Sequence, residues 1–442
     1  MLSMAVGAAM TGGGMASASS LSSNSSHTMS VHPVYQYVGK STGDGAIFGC
    51  QSSTAAVSCY SPQALLNAYD IQRVQDKGIT GKGQTIVIID AFGDPTIQQD
   101  LDVFDTTFGL PATTVNVINP FGAVFDPTSA DDVGWSGEEA LDVESSHAVA
   151  PGATIDLLVS KSDQDQDLEN VLEYAVNHHL GNVISQSYGE AETCVEPSIL
   201  KAQHRTFEKA AREGISVFAS SGDDGAAQLT CDGNSYFRVA SSPASDPYVT
   251  SVGATYLNAS QPDGAYISES AWNDEFGSTG GGYSTIYHRP FYQNGYVHNS
   301  GRGVPDVSYS GDVNGGLLIA WSGGDPANVG DIYIFGGTSA GSPQWAAMTS
   351  LVVSVFGPQG NINPLLYLFV DHFNKSAFHD ITSGNNSVVE TDANGNPVTV
   401  DGYNTTRGWD AVTGLGTLDL GNAIFGSQSS CWHSHAGQAT NY

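Results

Sequence analysis

A serine at position 339 has the surroundings expected of a catalytic nucleophile. It lies in residues 336–343 (GGTSAGSP), between an apolar strand-like run and a helical pattern that continues to Leu351. Small residues before Ser339 let a substrate backbone approach, and the backbone N–H groups at a helix start suit a developing oxyanion. A serine in this position can also simply cap the helix. The glycine-rich run favours the nucleophile.

The sequence offers this serine no obvious histidine base. Residues 337–341 satisfy the G-x-S-x-G elbow of α/β-hydrolases, which needs a later acid and then a histidine. That histidine would be His433, which lies in a polar tail. The order Asp, His, Ser would begin with Asp90, but no His-Gly-Thr-His segment follows it. The nearest helical histidine is His147, which we expect to be a packed or surface residue.

Carboxylates could supply the base instead. Glu138 and Asp142 are four residues apart in a helical pattern, so they share one face. A buried pair that shares a proton has split pKa values and can act as a base in acid, where histidine is protonated. Asp223, in the turn 220–225 (SSGDDG), could donate a hydrogen bond to an oxyanion when protonated. The ordinary alternatives are a solvated acidic helix face and an Asp-Gly turn.

The composition limits the possible partners. The chain has 442 residues, with 14 Lys and Arg against 45 Asp and Glu, and its formal net charge is −31. Nucleic acids and anionic membrane surfaces are excluded as partners, because both require clustered bases. No apolar run reaches the roughly 18 residues of a membrane span. The scarcity of bases limits positive charge in acid, although an acidic surface also serves solubility, as in halophiles.

The chain divides into three parts by composition. Residues 1–58 form a Ser- and Gly-rich N-terminal segment, and folded patterning begins near Cys59. Residues 59–426 carry one catalytic domain, and residues 427–442 form a polar tail. Residues 2–18 are mildly apolar and end in a cleavage-like ASA, so the segment resembles a signal or prosegment remnant.

The cysteines lack the spacing of a zinc site. None of the five is part of a CxxC pair. Cys50 and Cys59 bracket a small polar loop, and Cys194 and Cys231 bracket a larger one. Two disulfides with Cys431 left over are therefore one interpretation, and buried free thiols are the other.

Strand and helix patterns alternate between residues 84 and 220. The predicted strands are 84–90, 154–160, 182–187 and 215–220, and the predicted helices between them are 134–149, 168–180 and 197–212. Such alternation predicts a parallel sheet with helices on both faces, with ligands beyond the carboxyl ends of its strands. Asp90 and Ser187 lie at those ends. Residues 221–330 are rich in Gly, Ser and Asn, and we expect surface loops and hairpins there.

An ordered set of motifs resembles the sedolisins, the serine-carboxyl peptidases with a subtilisin-like fold. The motifs are Gly137-Glu138-x-x-Leu141-Asp142, residues 221–225 (SGDDG) and residues 337–340 (GTSA), supported by residues 87–95 (VIIDAFGDP), 185–189 (SQSYG) and 305–308 (PDVS). The resemblance covers roughly four-fifths of the chain, residues 59–423. It implies an α/β fold with a doubly wound, mostly parallel sheet, helices on both faces and a calcium-binding loop near the C-terminus.

The resemblance also implies residue roles. Ser339 would be the nucleophile, Glu138 its general base, and Asp142 the group that orients Glu138 and shares its proton. Protonated Asp223 would donate to the oxyanion together with the Ser339 N–H. The segment from Ser185 to Gly189 would bind the substrate backbone as an added strand, through Ser185, Ser187, Tyr188 and Gly189. Asp90 matches a strand-end position of the family but is not in its catalytic set.

Two further segments resemble the calcium loops of this family. They are residues 379–385 (HDITSGN) and residues 406–414 (TRGWDAVTG). The match implies one structural Ca²⁺ held by the side chains of Asp380 and Asp410 and by the carbonyls of Ile381, Thr406 and Gly408. Carboxylates with carbonyl oxygens suit such a hard cation, although loop aspartates also cap turns. Residues 384–402, between the two motifs, are polar, which predicts an extended loop.

The function that the sequence predicts is that of an acid-acting serine-carboxyl endopeptidase. Its partners would be protein or peptide substrates, and we expect a secreted monomer. Three alternatives stay open: a tripeptidyl-peptidase of the same family, an α/β-hydrolase esterase, and a non-catalytic, calcium-stabilised binding module. The family pattern also implies a large folded prosegment, whereas only about 58 residues precede the motifs here.

Overall fold

The computed structural model describes residues 29–30, 34–52, 54–372 and 377–426. The signal-like residues 2–18 and the tail with Cys431 and His433 lie outside the described residues. The helices of the described part are α1 (Pro62–Ala68), α2 (Ile71–Gln75), α3 (Ile97–Phe108), α4 (Ala130–Val149), α5 (Asp165–Asn177), α6 (Pro197–Arg212), α7 (Gly341–Phe356), α8 (Asn363–His372) and α9 (Leu420–Phe425).

Strands run through the whole described part. Up to residue 259 they are β1 (Val34–Lys40), β2 (Cys59–Tyr60), β3 (Thr85–Ala91), β4 (Val115–Ile118), β5 (Thr154–Ser160), β6 (Val183–Gln186), β7 (Glu190–Ala191), β8 (Ser216–Ser220), β9 (Ala227–Leu229), β10 (Tyr236–Arg238), β11 (Ser241–Ser242) and β12 (Val249–Ala259). After it they are β13 (Tyr266–Ala271), β14 (Asn273–Asp274), β15 (Gly277–Ser278), β16 (Gly282–His288), β17 (Gly301–Val304), β18 (Val307–Ser310), β19 (Gly316–Ala320), β20 (Asp331–Gly336), β21 (Phe378–His379), β22 (Val388–Thr391), β23 (Pro397–Val400) and β24 (Thr417–Leu418).

The central sheet has eight strands and is mostly parallel. Its order is β13-β12-β8-β6-β3-β5-β4, and β18 also pairs with β12. Only the β12–β13 pair is antiparallel within this sheet. The predicted α/β class is therefore confirmed, and the strand 154–160 and helix 197–212 have the predicted ends.

Helices cover both faces of this sheet. α4 and α7 pack on one face, and α5 and α6 pack on the other. Side chains alternate along β3, so Ile86 and Ile88 belong to the core under α4 and α7, while Val87 and Ile89 belong to the core under α5 and α6. This explains why β3 is a continuous apolar run. Among the described residues, no helix has the length and apolarity that crossing a bilayer requires.

A second sheet ties the N-terminal segment to the strand that precedes Ser339. Its order is β1-β20-β19-β2, and β1 pairs antiparallel with β20. The structure thus differs from the expectation that folded patterning begins near Cys59. The ring of Tyr35 in β1 packs edge-on against Trp321, with ring centroids 4.8 Å apart. This short aromatic strand was not predicted, because the average composition of residues 1–58 is rich in Ser and Gly. Both disulfides, Cys50–Cys59 and Cys194–Cys231, are present.

The region 221–330 is more buried than its composition indicates. The expected hairpins are present as β9–β10 and β14–β15. However, β12 and β18 belong to the central sheet and are not surface loops. Even a charged pair is buried there, since Arg302 and Asp306 are both fully buried and joined by a 2.8 Å hydrogen bond. The polar stretch 384–402 likewise contains the hairpin β22–β23 rather than an extended loop.

Candidate active site

Several strand ends and two helices meet at one edge of the central sheet. Asp90 lies near the end of β3, Ser187 follows β6 directly, and Asp223 follows β8 by three residues. Ser339 lies in a short 3-10 turn immediately before α7 and is only 5% exposed. Because the carboxyl ends of parallel strands share one edge, segments far apart in sequence are brought together here, as predicted.

Helix α4 supplies two carboxylates to this edge. Its start is capped by Ser129, whose side chain accepts a hydrogen bond from the Asp132 backbone N–H, and it is buried throughout from Trp135 onward. It packs against α7 and against the turn that holds Ser339. Glu138 and Asp142 are both fully buried on this helix. The structure therefore excludes the alternative of a solvated acidic helix face.

Ser187 connects the carboxylates to the serine. Its hydroxyl lies 2.8 Å and 2.9 Å from the two carboxyl oxygens of Asp142 and donates to them. Its carbonyl oxygen accepts a hydrogen bond from the Ser339 hydroxyl at 3.3 Å. The two carboxyl oxygens of Glu138 are buried and have no hydrogen-bond partner among the described residues, which leaves them available to accept a proton. Ser339, Ser187 and Asp142 are thus linked by hydrogen bonds, and buried Glu138 lies one helical turn before Asp142.

Burial and mutual repulsion set the protonation of this group. Burial raises the pKa of Asp90 to about 8. Burial also raises the pKa of Glu138 and of Asp142 well above ordinary values, and the neighbouring Asp90 raises both further. Hydrogen bonding from Ser187 lowers the pKa of Asp142 in part. These carboxyls cannot all be ionised together, so protons are shared among them.

Asp223 lies against the turn that carries the nucleophile. Its Oδ1 accepts hydrogen bonds from the backbone N–H and the hydroxyl of Thr338, both at 2.7 Å. A Cβ at Gly337 would approach Asp223 Oδ2 to 2.6 Å, and Gly337 has a φ of +103°. Gly337 therefore has a backbone conformation that favours glycine, and a side chain at this position would collide with the Asp223 carboxyl.

The predicted substrate-binding segment divides into a buried part and an accessible edge. Ser185 lies inside the sheet, where its backbone pairs with both β3 and β8 and its hydroxyl contacts that of Ser342 at 3.0 Å. It therefore does not line a groove. The Tyr188 side chain is also buried, and its hydroxyl pairs with Gln186. Gly189, which lies beyond the end of β6, forms an isolated backbone bridge to a segment outside the central sheet.

The segment that pairs with Gly189 comes from the N-terminal part of the same chain. Ser30 and Gly189 exchange two backbone hydrogen bonds, of 3.1 Å and 3.2 Å, in an antiparallel bridge. The backbone N–H of Met29 donates to the Asp163 carbonyl at 3.0 Å, and the Met29 side chain is fully buried. We call the space between Asp163 and Gly189 the groove. It was missed from the sequence, because Met29 and Ser30 belong to no motif.

The two predicted calcium aspartates converge on one loop. The Asp380 carboxyl accepts from the Gly408 backbone N–H at 3.0 Å and 3.2 Å, and Asp410 Oδ2 accepts from the Thr406 N–H at 2.8 Å. Ile381 is buried. Burial raises the pKa of Asp410 to about 6. The loops thus bring hard oxygen donors together, although the described residues contain no cluster of three or more His, Cys, Asp or Glu that could hold a metal.

Within the part of the chain that the structure describes, the geometry does not support a histidine base. His147 is fully buried, with its Nε2 at 2.8 Å from the Pro111 carbonyl and 3.1 Å from Asp105. It is the packed residue that was expected. Strand β20, which leads to Ser339, is an antiparallel member of the second sheet. An α/β-hydrolase elbow instead follows a strand of the central sheet, so the G-x-S-x-G interpretation is wrong.

Comparison with known proteins agrees with this arrangement. The model of the subtilase family matches residues 133–364. Kumamolisin of Bacillus sp. is 34% identical over 383 residues, which cover 84% of this chain and 64% of kumamolisin. Human tripeptidyl-peptidase 1 is 28% identical over 74% of this chain and 56% of its own length. Pseudomonas sedolisin, solved in complex with two molecules of pseudo-iodotyrostatin, matches with a TM-score of 0.70 and 29% identity, covering 84% of this chain and 100% of that one.

These similarities define the class of protein first and its branch second. The chain belongs to the subtilase family, and within it to the sedolisins. In the sequence alignments it spans less than two thirds of the curated relatives' own length, 64% for kumamolisin and 57% for the sedolisin of Pseudomonas sp..

Proposed function

We propose that this protein is an acid-acting serine-carboxyl endopeptidase. The observation that carries the proposal is the hydrogen-bonded chain at the site: the Ser339 hydroxyl donates to the Ser187 carbonyl, and the Ser187 hydroxyl donates to Asp142, one helical turn from buried Glu138. Among these coupled carboxyls the first ionisation is not opposed by a charged neighbour, so it takes place at lower pH than the others and provides one carboxylate base, whereas a histidine base would be protonated in acid.

The proposed reaction uses each of these groups at a stated atom. Ser339 Oγ attacks the peptide carbonyl carbon, and its proton passes to the Glu138 carboxylate while Asp142 shares the charge. Protonated Asp223 and the Ser339 N–H stabilise the oxyanion. Collapse breaks the C–N bond, the proton moves from Glu138 to the leaving amine, and an acyl-enzyme remains on Ser339. Water then attacks this ester by the reverse proton path and frees the acid.

The groove favours internal cleavage over removal of tripeptides. Ser30 pairs antiparallel with Gly189. If a substrate bound in the same register, its residue two positions after the one that replaces Ser30 would lie opposite Ser187, whose carbonyl accepts from Ser339. If that residue carries the scissile carbonyl, Ser30 marks the third residue before the cut and Met29 the fourth. A tripeptidyl-peptidase has no substrate residue at the fourth position, whereas Met29 is completely buried there.

Calcium, secretion and acid operation belong to the same proposal. A structural Ca²⁺ would be held by Asp380, Asp410 and the carbonyls of Ile381, Thr406 and Gly408, where it would tie two C-terminal loops together. Two disulfides fit an oxidising compartment outside the cell. The net charge of −31 disfavours polyanionic partners and is compatible with a monomer that acts on proteins or peptides.

Digestion of a denatured protein in mild acid tests the proposal. Wild type should cut it at internal bonds, and Ser339→Ala should cut nothing while it keeps the same melting temperature. Mass-spectrometric mapping separates the candidates, because stepwise release of tripeptides from the amino end would identify a tripeptidyl-peptidase. Full activity of Ser339→Ala would overturn the assignment, and a folded but inert wild type with bound calcium would support the binding module.

A further inference from the structure

We propose that Trp321 is a positioning residue for the carboxyl base. With the backbone of the preceding residue, Ala320, its indole holds helix α4 at one point before Glu138 and at one point after Asp142. The inference rests on the proposed peptidase function and deepens it, since it states how the second sheet fixes the base relative to Ser339.

The end of strand β19 makes two hydrogen bonds to α4. The Ala320 backbone N–H donates to Oε2 of Glu144 at 2.8 Å. The Trp321 indole N–H, directly after the strand, donates to the Ser136 hydroxyl at 3.0 Å. Ser136 lies two residues before the proposed base, and Glu144 lies two residues after its acidic partner. All four residues are buried, so the two bonds restrain the helix on both sides of the carboxyls that it carries.

The Trp321 ring also packs on the backbone just before the base. A Cβ at Gly137 would lie 3.4 Å from Trp321 Cζ2 and 3.5 Å from Phe335 Cε1. The two rings meet edge-on, with centroids 5.8 Å apart. Phe335 belongs to β20, the strand that ends three residues before Ser339. The base helix and the strand that leads to the nucleophile are therefore packed on the same indole.

Neighbouring rings hold this indole in place. Tyr35 and Tyr333 pack edge-on against it, at centroid distances of 4.8 Å and 5.1 Å, and Trp321 is only 5% exposed. A ring that is packed on several sides and hydrogen-bonded cannot turn without losing contacts, so α4 has one position relative to β20. This restraint matters for catalysis, because a displacement of about 1 Å between reacting groups can cost on the order of 100-fold in rate.

Steady-state kinetics of Trp321→Phe distinguishes positioning from packing alone. Phenylalanine keeps a buried aromatic ring but has no N–H to donate to Ser136. The matched control is Trp345→Phe, because Trp345 is also buried and donates its indole N–H at 2.9 Å to the Ser308 carbonyl, an acceptor outside α4. Ser136→Ala removes the acceptor with little change of core volume, so it tests the same bond in a second way. Each variant is also made in the Glu138→Gln background.

We expect kcat of Trp321→Phe and of Ser136→Ala to fall about tenfold to a hundredfold at unchanged KM. Trp345→Phe should lower the melting temperature by a similar amount but keep its kcat. In the Glu138→Gln background, Trp321→Phe should change kcat by less than about twofold, because no base is left to position. Equal kcat values in Trp321→Phe and Trp345→Phe, or fully additive losses with Glu138→Gln, would overturn the inference.

Hydrogen exchange of the α4 amides gives a result that is independent of turnover. The amides of residues 138–142 should exchange faster in Trp321→Phe than in Trp345→Phe. If this difference is present but wild type cleaves no protein, Trp321 holds the helix and the proposed function fails. If wild type cleaves protein and the difference is absent, the proposed function stands and Trp321 is not a positioning residue.

Discussion

The hydroxyl of Ser187 donates to the carboxyl of Asp142, at 2.8 Å and 2.9 Å from its two oxygens. The two residues lie 45 positions apart in sequence, one after β6 and the other in α4. This contact links the end of a central strand to the helix that carries Glu138. It therefore restrains the carboxyl of Asp142, one helical turn from Glu138.

Removing this contact should weaken catalysis more than folding. In Ser187→Ala we expect kcat to fall about tenfold to a hundredfold, because a hydrogen bond to a charged group contributes about 1.5–3 kcal/mol. KM should change little, since the backbone of the segment is untouched. The matched control is Ser185→Ala, which removes a buried hydroxyl that contacts Ser342 and no carboxyl. Equal kcat values in the two variants would show that Ser187 does not orient the base.

Glu138→Gln tests the base directly. The amide has the same shape but cannot accept the proton of Ser339, so kcat should fall by about 10²- to 10⁴-fold. Glu139→Gln is the control, because Glu139 is the adjacent buried carboxyl of α4, with its pKa raised by burial and then by Asp90 and Asp94. We expect this control to retain most of its activity. The measurement is steady-state kinetics with a peptide substrate in mild acid.

The pH profile should respond to Asp90. Ionised Asp90 raises the pKa of Glu138, second only to burial. Burial raises the pKa of Asp90 itself to about 8, so this charge is absent in acid, and Asp90→Asn should change kcat/KM only toward neutral and alkaline pH while the acid limb stays in place. A shift of the acid limb in this variant would mean that Asp90 is ionised there.

Stability should fall as the pH rises. Burial raises the pKa of Asp100 to about 7, above its unfolded value of about 3.9. The folded state then binds more protons than the unfolded state, so the contribution is present in acid and is lost between about pH 4 and pH 7, at up to about 1.4 kcal/mol per pH unit. Asp100→Asn should flatten this loss in thermal melts at several pH values, while Asp102→Asn, exposed on the same helix, should leave it unchanged.

Calcium should stabilise the protein through the C-terminal loops. We expect EDTA to lower the melting temperature and added CaCl₂ to restore it, since an ion that binds only the folded state stabilises that state by mass action. MgCl₂ is the control, because Mg²⁺ demands a smaller octahedral site. Asp380→Asn should abolish the calcium response with little change in the metal-free protein, as Asp380 is exposed and contacts Gly408. A calcium response that persists in this variant would exclude Asp380 as a ligand.

The residue types and spacing were sufficient to predict which side chains meet at this edge of the sheet. Glu138 and Asp142 lie four apart on one helix, and a helix converts that spacing into a shared face by its geometry alone. Alternating strand and helix patterns likewise determine a parallel sheet, and with it the edge at which Asp90, Ser187 and Asp223 meet. These properties are local or follow from general rules of sheet topology, so the sequence by itself determined them.

Contacts between distant segments were decided only by the tertiary structure. Ser185 and Ser187 differ by two positions, yet one is paired inside the sheet while the other reaches Asp142. Met29 and Ser30 carry no pattern, and their position depends on Asp163 and Gly189, more than 100 residues away. Such pairings depend on which surfaces the packed helices leave open, and no local spacing encodes that choice. The sequence therefore determined the chemistry of the site, and the fold decided what the site is paired with.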